Sequence, residues 1–270
     1  MTISEEAEDA NELGNQASTT EEAEPHLLRA MELAPSWAVP PYNLGLAYKY
    51  DRQWEKSLLY NHKAYELDPE DDAIRWNLGI AATARGNWEL ATRMWETFGI
   101  HRPLGPGAWD YELGSIVVRV AGTETVWCRR LDLARASITS VPTAACGRRF
   151  GDVVLTDGAA DGYRGDVPVL NELELLQPSE FATYEARVVC KSRADAERLR
   201  ARFEKSEWAA EDWTGSLRKL CPDCSKTTVP VENKKARWVK EREFGFAAPP
   251  DAALDHLLNG YEVRTLERAL

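Results

Sequence analysis

The stretch AVPPYNLGLAYKYDRQWEKSLLYNHKAYELDPED (38–71) is followed at once by DAIRWNLGIAATARGNWELATRMWETFGIHR (72–102). Laid over each other at an offset of 34 residues, the two pair Asn43 with Asn77, Leu44 with Leu78, Gly45 with Gly79, Trp54 with Trp88 and Ser57 with Ala91. One period earlier, HLLRAMELAP (26–35) matches NHKAYELDP (61–69), with Ala30 on Ala64, Glu32 on Glu66, Leu33 on Leu67 and Pro35 on Pro69. A period of this size marks stacked units, none of which can bury its apolar face alone. Leu44, Ala47 and Tyr48 fall on one helical face. Gly45 and Gly79 carry no side chain to keep a neighbouring helix away, and Pro35 and Pro69 cannot continue a helix.

With N-L-G in the first helix, an aromatic opening the second and E-L-x-P closing it, this region resembles the tetratricopeptide repeat (TPR) family. The resemblance covers roughly the first 100 residues. The third repeat departs from it at its end, where Phe98 and GIH replace the closing pattern. The first is degraded, and its Gly14 fits the small-residue position if that helix pair is about three residues shorter. The last repeat needs an outside cover, for which the segment after Gly107 is the natural candidate.

The resemblance also implies a groove lined by first-helix residues. These are Tyr42, Asn43, Leu46, Lys49 and Tyr50 in the middle repeat, and Trp76, Asn77, Ile80 and Thr83 in the third. Asn43 and Asn77 stand where peptide-binding members place an amide that bonds a peptide's donor and acceptor together. Bonding between neighbouring helices is an equal alternative for both. Asn15 would supply a third amide in the shortened register. The family's clamp for a C-terminal carboxylate needs Lys and Arg where this chain has Ala73 and Asn77, so that mode is not expected.

HRPLGPG (101–107) breaks the helical pattern and sets the expected boundary. An array of about three repeats is assigned to 4–104, and an α+β domain with a mostly antiparallel sheet to 108–270. In the second part SIVVRV (115–120), VWCRRL (126–131), SITSV (137–141) and DVVLTD (152–157) read as strands between turn-like segments. VPVLNELELL (167–176) starts like a strand and ends like a helix. YEARVVC (184–190) alternates, with Tyr184, Ala186, Val188 and Cys190 on one face. SRADAERLRARFEKS (192–206) reads as a helix capped by Ser192, with Ala196, Leu199 and Phe203 as its apolar stripe. ARWVKEREFGF (236–246) reads as late strand, and PPDAALDHLLNG (249–260) as a short helix.

With 33 Lys+Arg against 44 Asp+Glu the formal net charge is −11, which disfavours binding to nucleic acid phosphates. No run of about 18 apolar residues suggests a membrane span. The acidic start, MTISEEAEDANELGN, does not read as a secretory signal. Five cysteines, an odd count in a long chain, argue against a disulfide framework and for the cytoplasm.

The C-x-x-C of LCPDCS (220–225) places Cys221 and Cys224 at zinc-ligand spacing. A structural zinc site needs four ligands, so Cys190, Cys146 or His256 would have to complete it. A plain turn and a redox pair are the other readings. DVVLTDGAADGYRGD (152–166) lacks the calcium-loop spacing and reads as a hairpin tip. The Arg pairs in WCRRL and CGRRF suit either an anion or a solvated strand edge. No G-K-[ST] or G-x-S-x-G is present.

The expected function is therefore a non-enzymatic adaptor that binds another protein or peptide, without cofactor. An immunity or antitoxin-like protein neutralising a basic partner is one alternative. An enzyme or a zinc-stabilised module in the second domain is another. For an enzyme, Arg149, Asp152, Asp157, Asp161 or Glu172 would converge in one cleft.

Overall fold

The computed structural model describes residues 3–101, 107–121, 124–215 and 238–270. The chain is α+β and divides into two compact units, Met1–Tyr111 and Glu112–Leu270.

The first unit is a run of six helices: α1 (Glu5–Gln16), α2 (Thr20–Leu33), α3 (Val39–Tyr50), α4 (Trp54–Leu67), α5 (Asp72–Ala84) and α6 (Trp88–Thr97). Ser4, Thr19, Asp71 and Asn87 each accept a first-turn backbone N–H of their helix. Such caps contribute about 1 kcal/mol each. α3 starts without a side-chain cap, but Pro40 stands in its first turn, where a missing N–H goes unnoticed.

Pairing of the helices follows the small residues. A side chain at Gly14 would run into Leu27, one at Gly45 into Asn61 and one at Gly79 into Trp95. The facing residues recur every 34 positions, whereas Gly14 lies only 31 before Gly45. The first hairpin is thus the shortened one. Ala30 and Ala64 are fully buried on the second helices. α6 stops early, with Phe98 as its C-cap and Gly99 at φ +79°. Beyond it the Trp109 indole N–H donates to Thr92 Oγ1 at 2.9 Å, so the segment after Gly107 reaches the last helix.

In the second unit the expected sheet is two sheets. The first contains β1 (Ser115–Val120), β2 (Glu124–Arg130), β3 (Arg135–Ile138), β4 (Val153–Arg164) and β5 (Val167–Gln177), closed into a barrel. Successive strands pair antiparallel, so closing an odd number requires one parallel pair, which β1 and β5 supply through Val117, Val118 and Arg119. Ile116, Val118, Val126, Cys128, Ile138, Val154 and Leu170 fill the interior.

The hairpin tip expected within 152–166 is there, at 165–166, but DGAADG (157–162) is not the turn that its composition suggested. β4 runs straight through it, and the pairing with β5 shifts register between Thr156, Ala160 and Gly162. Bulges of this kind bend a strand, and a small barrel needs that bend. Gly158, at φ +72°, takes a conformation that side chains resist. The true turn lies at Gly165, φ +64°. β5 is strand throughout, because pairing to β4 and β1 outweighs the helix propensity of NELELL.

The second sheet contains β6 (Ala182–Val189), β7 (Ala209–Asp212), β8 (Glu241–Ala248) and β9 (Glu262–Arg268), with α7 (Arg193–Glu204) after β6 and α8 (Asp255–Leu258) before β9. The strand order is β7-β8-β6-β9, all antiparallel, the split βαβ arrangement. Tyr184, Ala186, Val188 and Cys190 are buried as the alternation requires. Ala196, Leu199 and Phe203 of α7 belong to the same core, with the Phe203 ring stacked on Phe246 at 4.4 Å. Full burial of a Leu or Phe contributes about 1.5–3 kcal/mol. Pro249 and Pro250 do not start a helix; their carbonyls accept hydrogen bonds from the Tyr184 hydroxyl.

Candidate functional site

The residues expected to line a groove sort into three groups. Tyr42, Asn43 and Asn77 take part in a series of side-chain hydrogen bonds across the first helices. Asn43 Nδ2 donates to Asn11 Oδ1 at 2.9 Å, joining α3 to α1. Asn77 Nδ2 donates to the Tyr42 hydroxyl at 3.3 Å and to Ala73 O at 2.9 Å, joining α5 to α3. Leu46 and Trp76 are half-buried, and Tyr50 is 60% exposed. Ile80 and Lys49 are enclosed, at 0% and 2% exposure, with the Lys49 amine 4.6 Å from the Tyr50 ring centre. Trp76 sets its ring edge-on to Trp95 and Phe98. Thr83 donates to Gly79 O in its own helix.

Asn15 is not the third amide. It is exposed on α1, and the residue that meets Asn43 is Asn11, one turn earlier. Asn11 escaped the sequence reading because α1 is displaced relative to the repeat, so counting back from Asn43 misses it. Asn77 Oδ1 is buried and makes no hydrogen bond. Asn43 Oδ1 likewise has no partner among the described residues.

The three thiols among the described residues are enclosed. Cys128, Cys146 and Cys190 are free and buried. Burial pushes the Cys146 and Cys190 thiols up to about 11 and raises Cys128 as well. Cys146 belongs to the barrel core and Cys190 to the core of the second sheet, while His256 is exposed. Cys221 and Cys224 lie outside the described residues, as does the basic KKAR. Among the described residues no group of three or more His, Cys, Asp or Glu could hold a metal ion.

Several carboxylates and arginines of the barrel hold neighbouring protein groups. Asp152 accepts from the backbone of Arg149 and of Ser179 at 2.7 Å each. Glu172 takes Arg148 Nε at 2.5 Å and the Ala121 N–H at 3.2 Å. Arg119, 4% exposed, bonds Asp161 at 2.7 Å and Asn171 at 2.5 Å. Arg130 donates to the carbonyls of Asp132, Leu133 and Gly158, and burial lowers its guanidinium pKa. Of the two arginine pairs weighed for an anion, Arg130 and Arg148 hold protein groups, whereas the buried Arg149 Nε has no hydrogen-bond partner among the described residues.

A groove of about 1020 Å³ opens within the second unit, with Trp127 and Phe150 of the barrel on one side and Arg200, Trp208 and Arg242 among its other walls. Arg242 bonds Asp212 at 2.6 and 2.9 Å and lies 4.3 Å from the Trp238 ring centre. No sequence motif marks this groove, since its walls come from segments far apart in the chain. No described helix is long and apolar enough to cross a membrane. Compared with known proteins, the chain matches no family model and no curated protein.

Proposed function

We propose that this chain is a non-enzymatic adaptor that holds a segment of another polypeptide along the first-helix face of its array. The Asn11–Asn43 and Tyr42–Asn77 bonds join neighbouring helices, which is the alternative expected for both amides. The observation that carries the reading is the combination of exposed Tyr50 with Asn43 Oδ1 on the same helix, an amide acceptor without a partner among the described residues that suits an extended backbone's N–H. The 34-residue recurrence of facing positions supports placing the array in the TPR family. Asp152, Asp161 and Glu172 each hold backbone or arginine partners and so add no support to an enzyme reading. A second reading rests on the net charge of −11, which suits a protein that neutralises a basic partner by rapid, steered association.

The test is affinity capture from cell extract with the full chain, wild type beside Tyr50→Ala and Asn43→Ala, with melting temperatures in parallel. A polypeptide partner lost from Tyr50→Ala at unchanged melting temperature supports the reading. A partner held equally by all three proteins moves the binding surface off this face and overturns it.

A further inference from the structure

β9 is the edge of its sheet. Among the described residues it pairs with β6 alone, and every side chain from Glu262 to Arg268 is exposed except half-buried Val263. One side of its backbone therefore presents N–H and C=O groups to a further strand. The charges beside that edge say what kind of strand fits.

On the sheet face turned away from α7, Glu185 of β6 lies directly opposite Glu267 of β9. Like charges in that relation are destabilising. Neither carboxylate has a hydrogen-bond or ion-pair partner among the described residues. The cation next along β6, Arg187, is turned to Glu243 at 3.8 Å. Glu241, at the start of β8, stands on the same face opposite Val189.

On its other flank Glu185 faces Gly245, where a Cβ would come within 2.1 Å of the Trp213 ring. The indole thus rests against the sheet beside the unpaired carboxylates. An ammonium or guanidinium group placed there would relieve the carboxylate pair and lie near an aromatic ring.

We propose that β9 is a strand-addition edge for an extended, Lys- or Arg-bearing segment of a partner protein. An added strand runs about 4.8 Å from β9. Its basic side chain on this face falls beside Glu267, and the stem reaches toward Glu185. β9 belongs to the second unit, and the proposal does not rest on the first-helix reading.

The test uses the full chain and a fluorescent peptide of about ten residues alternating Lys and Val. Two controls accompany it: a Glu/Val peptide, and the Lys/Val peptide N-methylated along one backbone edge. The Lys/Val peptide is expected to bind and to slow amide exchange in 262–268. Glu185→Gln/Glu267→Gln is expected to weaken it by about tenfold, whereas Glu5→Gln/Glu8→Gln, the same charge change on α1, leaves it unaltered. The Glu/Val and N-methylated peptides are expected not to bind. Because Glu185→Gln/Glu267→Gln removes a repulsion, its melting temperature should equal or exceed wild type, so lost binding cannot be read as unfolding. Four results would each overturn the proposal: no binding, equal binding of the N-methylated peptide, protection outside β9, or concentration-dependent protection of β9 without peptide, which would give the edge to a second copy of the chain.

Discussion

Asn43 Nδ2 donates to Asn11 Oδ1 at 2.9 Å, and through this bond the first helices of two successive hairpins are held together. The amide thus has a structural task whatever else it binds. Removing it leaves Asn11, only 8% exposed, short of its donor. Asn43→Ala is predicted to lower stability by about 1–2 kcal/mol, read as a shift in urea midpoint at unchanged slope. An unaltered midpoint would show that the bond contributes nothing.

Gly79 is predicted to tolerate no side chain. A Cβ there would stand 2.5 Å from Trp95, a ring that is 2% exposed and cannot withdraw. Gly79→Ala should cost about 1–3 kcal/mol by overpacking. Thermal melts of the wild type and the variant would show it, and equal melting temperatures would contradict the close approach of α5 and α6.

Arg52 occupies a turn at φ +58°, and 34 residues later Gly86 occupies the matching turn at φ +67°. A left-handed conformation costs a side-chain-bearing residue about 1–2 kcal/mol, partly offset by the greater freedom of an unfolded glycine. Arg52→Gly is therefore predicted to raise the melting temperature slightly. A fall would mean that contacts of the arginine outweigh its backbone strain.

Cys146 and Cys190 give stability a direction with pH. Burial raises both thiols to about 11 in the folded chain, above their ordinary value near 9. Their contribution is complete below pH 9 and is lost as pH rises from 9 through about 11, because the unfolded chain ionises first. Urea midpoints should fall across that window. In a Cys146→Ser/Cys190→Ser variant the fall should shrink, and an unchanged fall would assign it to other groups.

The helical unit was legible because its signal is local and repeated. Gly45 and Gly79 recur at the period of the hairpins and make the close approaches that their small size suggests, and Ala30 and Ala64, one period apart, are fully buried. Alternation in YEARVVC likewise gave the buried face of β6. The barrel was not legible as a barrel, since closure rests on pairing Val117 with Val169 across most of the sheet. DGAADG misled because glycines serve bulges as readily as turns. Of the first-helix residues, Tyr50 is exposed, whereas Ile80 on the same kind of helix is fully enclosed. Burial of that sort depends on neighbours that a repeat alignment does not supply.

The most direct test of the adaptor account is photo-crosslinking in cells. A photoreactive phenylalanine analogue is placed at Tyr50, or at Leu46, on the first-helix face, and in a parallel sample at Leu59, which is 50% exposed on the second helix α4. The account predicts a discrete polypeptide adduct from positions 46 and 50 and none from 59. Adducts from 59 alone, or from none of the three, would contradict it.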